Sequence, residues 1–319
     1  MAPLTVPVVR RRSTALLACA AVAGLVAGCA EASNPAAPRH TRTGARPGPT
    51  STRRSPTSKS PAGITLGNVV PKISRSPTRL AAALVSAERA LSQGGGTATA
   101  AARQALIVQL TCLKLAAHPS WAGRVISAVP PAWRAAAVAD ITATADLVAI
   151  TPPEPRLPPW RIIPAKRQSA LRADYQQAQT TTGIGWSYLA AINFVETDFG
   201  RIIGPSSAGA QGPMQFLPST WAIYGHGDIY NPRAAIMAAA RFLRAWGGTR
   251  AIGSALYAYN PSSRYVDAVL RYAARLRADP RAFTSYYRRQ IIYRLGGGWA
   301  WLPPGYGTNR TIHAVRVHL

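Results

Sequence analysis

Ala190-Ala191-Ile192-Asn193-Phe194-Val195-Glu196-Thr197-Asp198-Phe199-Gly200-Arg201 is the stretch whose reading decides the fold of this chain. It is apolar nearly all the way round a helix, so the helix is expected to lie at the centre of its domain. Leu189, Ile192 and Asn193 share a face with Glu196. Glu196 is the one glutamate between Trp160 and Leu319. A carboxyl group in so apolar a setting either finds a partner or has its pKa raised by desolvation, which makes a proton donor near neutral pH. A buried ion pair is the structural alternative. Asp198 points to a different side near the helix end, where its charge opposes the dipole unless it is paired, and Arg201 is the expected partner.

Downstream lies a loop of small residues, Ile203 to Pro213, and then Met214-Gln215-Phe216-Leu217-Pro218-Ser219-Thr220-Trp221. Small residues let a backbone approach a ligand, the Gln215 amide suits hydroxyl or acetamido groups, and Phe216 and Trp221 offer flat faces to sugar rings. Composition alone favours a glycine-rich turn followed by an ordinary helix beginning around Pro218-Ser219. A phosphate-binding loop is excluded, because the Lys-Ser/Thr ending is missing. Further on, Pro261 disfavours helix at Asn260, so Tyr259 and Asn260 mark a helix end, with a new helix starting near Ser262-Ser263. Polar tips at a helix end suit a cleft wall. Taken singly, such a tyrosine is more often buried with its hydroxyl satisfied.

The glutamate stretch, Gly212 to Trp221, Gly227-Asp228-Ile229-Tyr230-Asn231-Pro232 and Tyr257-Ala258-Tyr259-Asn260 follow one another in the order seen in lytic transglycosylases. The chain resembles the membrane-bound type B enzymes and their actinobacterial relatives over roughly residues 155 to 305. The resemblance implies a mainly α fold, in which a lysozyme-like catalytic domain follows an N-terminal helical accessory region. It also implies cleavage of the β-1,4 bond between N-acetylmuramic acid and N-acetylglucosamine in peptidoglycan. Glu196 would act as acid and then as base, closing a 1,6-anhydromuramoyl end without water and without a second carboxylate. By the same resemblance Met214 and Gln215 line the sugar cleft, Tyr259 lies near the acid and Asn260 follows it. A serine that contacts the glutamate would be Ser206 or Ser207, and Phe216 is a weaker substrate contact. No cofactor or metal is implied. The rival readings are a lysozyme-like muramidase, with water positioned by an aspartate such as Asp228, and a non-catalytic wall-binding lipoprotein.

The other end of the chain speaks to compartment. Arg10-Arg11-Arg12, an apolar run from Ala15 to Ala27 and the tetrad Val26-Ala27-Gly28-Cys29 describe a signal peptide over residues 1–28. The tetrad resembles a bacterial lipobox, which would make Cys29 the lipidated mature N-terminus, anchored at the outer face of the cytoplasmic membrane. Cys19 would leave with the signal, and Cys112 would remain as a small core residue. Residues 29–63 are rich in Pro, Ser, Thr and Arg and read as a disordered tether. Alanine-rich helical periodicity, broken at Gly94-Gly95-Gly96 and Pro130-Pro131, marks an accessory region over 64–151, with the catalytic domain over 152–319. A net charge of +26 favours anionic neighbours such as lipid headgroups, wall polymers and peptide-stem carboxylates. Nucleic acid is disfavoured by the export signal. The aromatic and basic segment after Asp279-Pro280 is expected to be a packed tail, with a closing flap that contacts sugar as the functional alternative.

Overall fold

The structure, a computed structural model, describes residues 70–319. The signal peptide, Cys29 and the tether lie outside the described residues. The alanine-rich segment forms α1 (Pro77–Ser92), α2 (Ala98–Ala117), α3 (Pro119–Ala128) and α4 (Pro131–Ala149). Its punctuation falls where the sequence places it. Gly94, Gly95 and Gly96 all take left-handed φ values, of 97°, 69° and 69°, and separate α1 from α2. The Thr97 hydroxyl caps α2 by accepting from the Ala100 N–H at 3.2 Å. Proline opens α1, α3 and α4, where its missing N–H costs nothing. These four helices bury a core of their own around Leu80, Leu84, Val108, Leu115 and Ile141. Cys112 lies in it, fully buried, and burial pushes its thiol far above the usual range, as suits an inert core residue.

Seven further helices follow: α5 (Gln168–Thr182), α6 (Trp186–Thr197), α7 (Pro218–Tyr224), α8 (Pro232–Ala245), α9 (Ile252–Tyr259), α10 (Ser263–Ala278) and α11 (Ala282–Tyr287). Among the described residues no helix is long and apolar enough to cross a membrane. The glutamate stretch is α6. It lies among α5, α8 and α10, with Leu189, Ala190, Ala191 and Ile192 entirely out of solvent, as its all-round apolar character requires.

The helical region before residue 152 is fused to these helices. The α4–α10 contact is the most extensive between any two elements, and Ala143 and Leu147 of α4 belong to the same core cluster as Leu189 and Ile192. Ion pairs cross the junction as well. Asp146 meets Arg264 at 3.1 Å and Arg271 at 2.6 Å, Glu88 meets Arg275 at 2.9 Å, and Asp140 faces Arg289 at 3.4 Å. Burial and the neighbouring Asp140 charge push Glu88 up to about 7, against the pull of Arg275.

The tail after α11 is packed, but as a sheet. β3 (Ile291–Leu295), β4 (Gly298–Leu302) and β5 (Val315–Val317) form an antiparallel β3-β4-β5 sheet with Ile291 opposite Leu302. Alternation gives it two apolar faces. Ile292, Trp301 and Val317 pack with Leu106, Leu110 and Leu113 of α2. Ile291, Tyr293 and Leu302 pack with Trp160, Ile162 and Ile202 on a small ribbon, β1 (Arg161–Ile162) paired with β2 (Ile202–Ile203). β2 follows α6 directly, so the C-terminal sheet braces the exit of the central helix.

Candidate active site

α6 ends in an unusual way. Asp198, Phe199 and Gly200 take φ values of 50°, 66° and 79°, so three successive residues are left-handed and two of them carry side chains that disfavour it. The surroundings hold them there. The Phe199 N–H donates to the Asn193 carbonyl at 3.0 Å, and the Gly200 N–H to Thr197 Oγ1 at 3.0 Å. Arg201 pairs with Asp198 at 3.0 Å, as its spacing predicts, and also donates to the carbonyls of Arg289 and Tyr287. Burial still raises Asp198 to about 6, with Arg201 and Arg289 opposing.

Two residues before Asp198, Glu196 is 1% exposed. Its Oε1 accepts a hydrogen bond from the Tyr265 hydroxyl at 2.7 Å, whereas its Oε2 is buried with no partner. Burial raises the pKa of Glu196 well above the carboxylate range, and the Tyr265 hydrogen bond is the only opposing influence. Among the described residues no ion pair reaches it. The buried-ion-pair alternative is therefore not what the geometry contains. Tyr265 is itself held neutral, because burial and the nearby Glu196 raise its pKa. With Oε1 committed as an acceptor, a proton on this carboxyl would sit on Oε2.

Residues 211–216 form a closed turn beside the glutamate helix. The Gln211 and Phe216 backbones exchange hydrogen bonds of 2.8 and 2.9 Å. Gly212, at φ 75°, touches the next segment so closely that an added Cβ would sit 2.1 Å from the Ile229 carbonyl oxygen. Helix α6 grips this turn, because Asn193 Nδ2 and Thr197 Oγ1 both donate to the Pro213 carbonyl, at 2.8 and 2.6 Å. Tyr175 OH fixes the Asn193 amide at 2.6 Å. Tyr259 OH donates to the Met214 carbonyl, so this tyrosine builds the turn. It also lies near enough for the Glu196 charge to raise its pKa, after burial.

The other residues singled out from the sequence gather around this point unevenly. Met214 is entirely buried. Gln215 has a left-handed φ of 47°, and its Nε2 donates to the Gly212 carbonyl at 2.9 Å. Phe216 is buried, its ring 5.7 Å from that of Tyr259 and 5.8 Å from that of Trp221. Ser206 is buried, and its Oγ accepts from the N–H groups of Ala208 and Ala210, holding the loop after β2 in shape. Ser207 is exposed. Asn260 is buried at the end of α9. Asp228 is exposed, and its Oδ1 accepts from the Tyr230 N–H at 2.9 Å, closing a turn.

Sequence reasoning missed Tyr265. Its signal was present: Tyr265, Ala268, Val269, Tyr272 and Leu276 follow the buried stripe of α10. A tyrosine at a core position needs a partner for its hydroxyl, and Glu196 is a buried carboxyl without an ion pair. Tyr265→Phe is expected to lower turnover about 10- to 100-fold with the fold intact. Because the lost bond favoured the ionised form, the alkaline limb of the pH–rate profile should also move to higher pH. Parent rates with an unmoved limb would remove Tyr265 from the site.

Comparison with known proteins adds to this geometry. Residues 174–280, which span α6, the 211–216 turn, α9 and all of α10, match the family described as transglycosylase SLT domain. The chain is also 29% identical over 150 residues to a protein named membrane-bound lytic murein transglycosylase F from Thiobacillus denitrificans. That alignment covers 42% of this chain and 30% of the relative, so the chain spans about a third of the length of the curated protein it matches. No solved structure matches the chain. The mainly helical, lysozyme-like architecture and these two likenesses mark residues 174–280 as a transglycosylase SLT domain similar to those of lytic transglycosylases.

Proposed function

We propose that the protein cleaves the β-1,4 bond between N-acetylmuramic acid and N-acetylglucosamine in peptidoglycan and leaves 1,6-anhydromuramoyl ends. Glu196 protonates the glycosidic oxygen from Oε2. The same carboxylate then takes the proton of the muramoyl C6 hydroxyl, which attacks the anomeric carbon and closes the ring, so that the acid is regenerated and no water is consumed. Tyr265 orients the carboxyl and remains a neutral donor to it throughout. The observation that carries the reading is the setting of Glu196: buried, bonded at one oxygen only, its pKa pushed up by burial and with no carboxylate among the influences on it. A hydrolase that activates water against an acid commonly uses a second carboxylate a few ångströms away, and Asp228 is engaged in a surface turn.

In this reading Gln215 and Asn260 form the wall beside the acid, Tyr259 and Ser206 hold the loops that carry it, and the buried Met214 and Phe216 support the turn from the core. The signal peptide, lipidated Cys29 and tether would put the enzyme at the outer face of the membrane, acting on the wall, with anionic wall polymers as neighbours for its positive charge. Cleavage of purified walls in oxygen-18 water tests the chemistry. The expected products are anhydromuramoyl ends that carry no label. Labelled reducing ends would establish a muramidase, and intact walls would leave a glycan-binding protein.

A further inference from the structure

The family match ends at residue 280, yet the chain builds a second concave surface from the segments that flank it. An open pocket of about 470 Å³ lies between the 158–160 strand entry and the 306–313 loop, lined by Trp160, Tyr306, Thr308, Asn309, Arg310 and His313 among others. Its size falls within the range of small-ligand sites.

Its walls are locked together, although the two segments lie far apart in sequence. Tyr306 OH donates to the Pro158 carbonyl at 3.1 Å. The Ile162 N–H donates to the Tyr306 carbonyl at 2.9 Å, and the Gly305 N–H returns a bond to the Ile162 carbonyl at 2.8 Å. Gly307, at φ 73°, lies so close to Trp160 that an added Cβ would be 2.1 Å from the Trp160 carbonyl oxygen. Trp160 also joins the pocket to the active-site side. Its Nε1 donates to the Pro205 carbonyl at 3.2 Å and its ring covers Gly204, where a Cβ would meet ring carbon at 2.4 Å. The next residue, Ser206, organises the loop that leads into the 211–216 turn. The rim, in contrast, is exposed and rich in donors. The Asn309 Oδ1 is committed to Thr311, but Arg310 and His313 have no ion-pair partner among the described residues.

We propose that this pocket is a distal subsite for the glycan strand, in which Arg310 and His313 hold a carboxylate of the substrate while the Trp160 and Tyr306 side forms its aromatic wall. The inference rests on the proposed glycan chemistry of Glu196. A guanidinium and an imidazole beside an aromatic wall suit an acidic sugar better than a neutral one, and peptidoglycan supplies carboxylates of two kinds: the lactyl carboxylate of muramoyl residues without a stem, and the stem carboxylates where the lactyl carboxyl is amide-bonded to a peptide. Substrate gripped here would be held to the same loop system that frames the acid, so the subsite would favour long strands over short ones.

The test compares full-length parent with Arg310→Ala/His313→Ala, two exposed positions outside the proposed catalytic machinery. With both chains also carrying Glu196→Gln, calorimetry on a peptide-free glucosaminyl–muramoyl octasaccharide should show about tenfold weaker binding in the double variant. Binding of the uncharged chitin octamer should not change. The corresponding octasaccharide with peptide stems separates the two carboxylates, because the stem is amide-bonded to the lactyl carboxyl and removes its charge: a loss confined to the peptide-free strand assigns the lactyl group, a loss confined to the stem-bearing strand assigns the stem, and a loss on both shows that either carboxylate is held. Equal affinity of parent and double variant for both acidic strands would overturn the subsite. If the parent binds the acidic octasaccharide through Arg310 and His313 but cuts no wall, the subsite stands and the catalytic reading fails. If it cuts walls and the double variant has an unchanged KM on long strands, the catalytic reading stands and the subsite fails.

Discussion

Glu196→Gln is expected to lower wall cleavage by about 10³-fold or more while leaving the fold intact or slightly stabilised. Glutamine keeps the shape of the side chain and can still accept from Tyr265, but it can neither deliver a proton to the glycosidic oxygen nor remove one from the C6 hydroxyl. Both halves of the reaction lose the same group, so the effect exceeds that of removing an orienting contact. The stability change has its own pH signature. The folded-state pKa of Glu196 lies well above its unfolded value because of burial. Below about pH 4 the carboxyl is protonated in both states, and parent and variant should melt alike. As pH rises beyond that, only the unfolded chain gains by ionising, so the parent loses stability and the amide variant does not. The variant's advantage in melting temperature should therefore be absent in acid and grow towards neutral pH. A variant that melts lower at pH 7, or one that still lyses walls, would show that Glu196 is not the buried acid described here.

Asp140→Ala is expected to be the most damaging substitution outside the site, at about 3–5 kcal/mol. Asp140 is 1% exposed on α4 and faces Arg289, which is 3% exposed just before β3. Its other oxygen accepts from Tyr286 OH at 2.6 Å. Arg289 also lies over the rings of Tyr286, Phe194 and Tyr272, at 4.7, 5.4 and 5.8 Å. Aromatic faces cannot neutralise a guanidinium that has lost its carboxylate, so the variant strands a buried positive charge behind α6. Asp146 is the control. It makes two ion pairs across the same junction, but its partners Arg264 and Arg271 are well exposed, and its removal should cost less than about 1 kcal/mol. Denaturant unfolding of the two variants decides the matter, and equal losses would mean that burial is not what gives the Asp140 pair its weight.

The elements that were legible in the sequence are those governed by local rules. α6 could be recognised because an apolar surface all round a helix has only one stable location, the centre. Gly94-Gly95-Gly96, Pro130-Pro131 and Pro261 mark their boundaries because glycine and proline act on the backbone within one or two residues. The Asp198–Arg201 pair was legible from their spacing of three, although it closes across the left-handed turn beyond the helix end, and the core role of Cys112 from its apolar neighbours. The C-terminal sheet was not legible as strands. β3, β4 and β5 span five, five and three residues, too short for a period to stand out, and Gly296-Gly297-Gly298 interrupts the first pair.

The sequence by itself determined a helical protein built around a lone glutamate in an apolar helix, and a chemistry limited to what one buried carboxyl can do. Only the tertiary structure decided how that carboxyl is held. Tyr265 lies 69 positions from Glu196 and shares no element with it, and the choice between Tyr259 and Tyr265 as its partner depends on where α9 and α10 bring two otherwise similar hydroxyls. Nor could periodicity reveal that the helices before residue 152 are fused to the helices around α6 through Ala143, Leu147 and Asp140, because a buried charge pair is defined by two distant side chains meeting out of water. Local patterns fix which residues must be buried. Which of them meet is fixed by the packing of the whole chain, where every donor, acceptor and charge taken from water must find its partner at once.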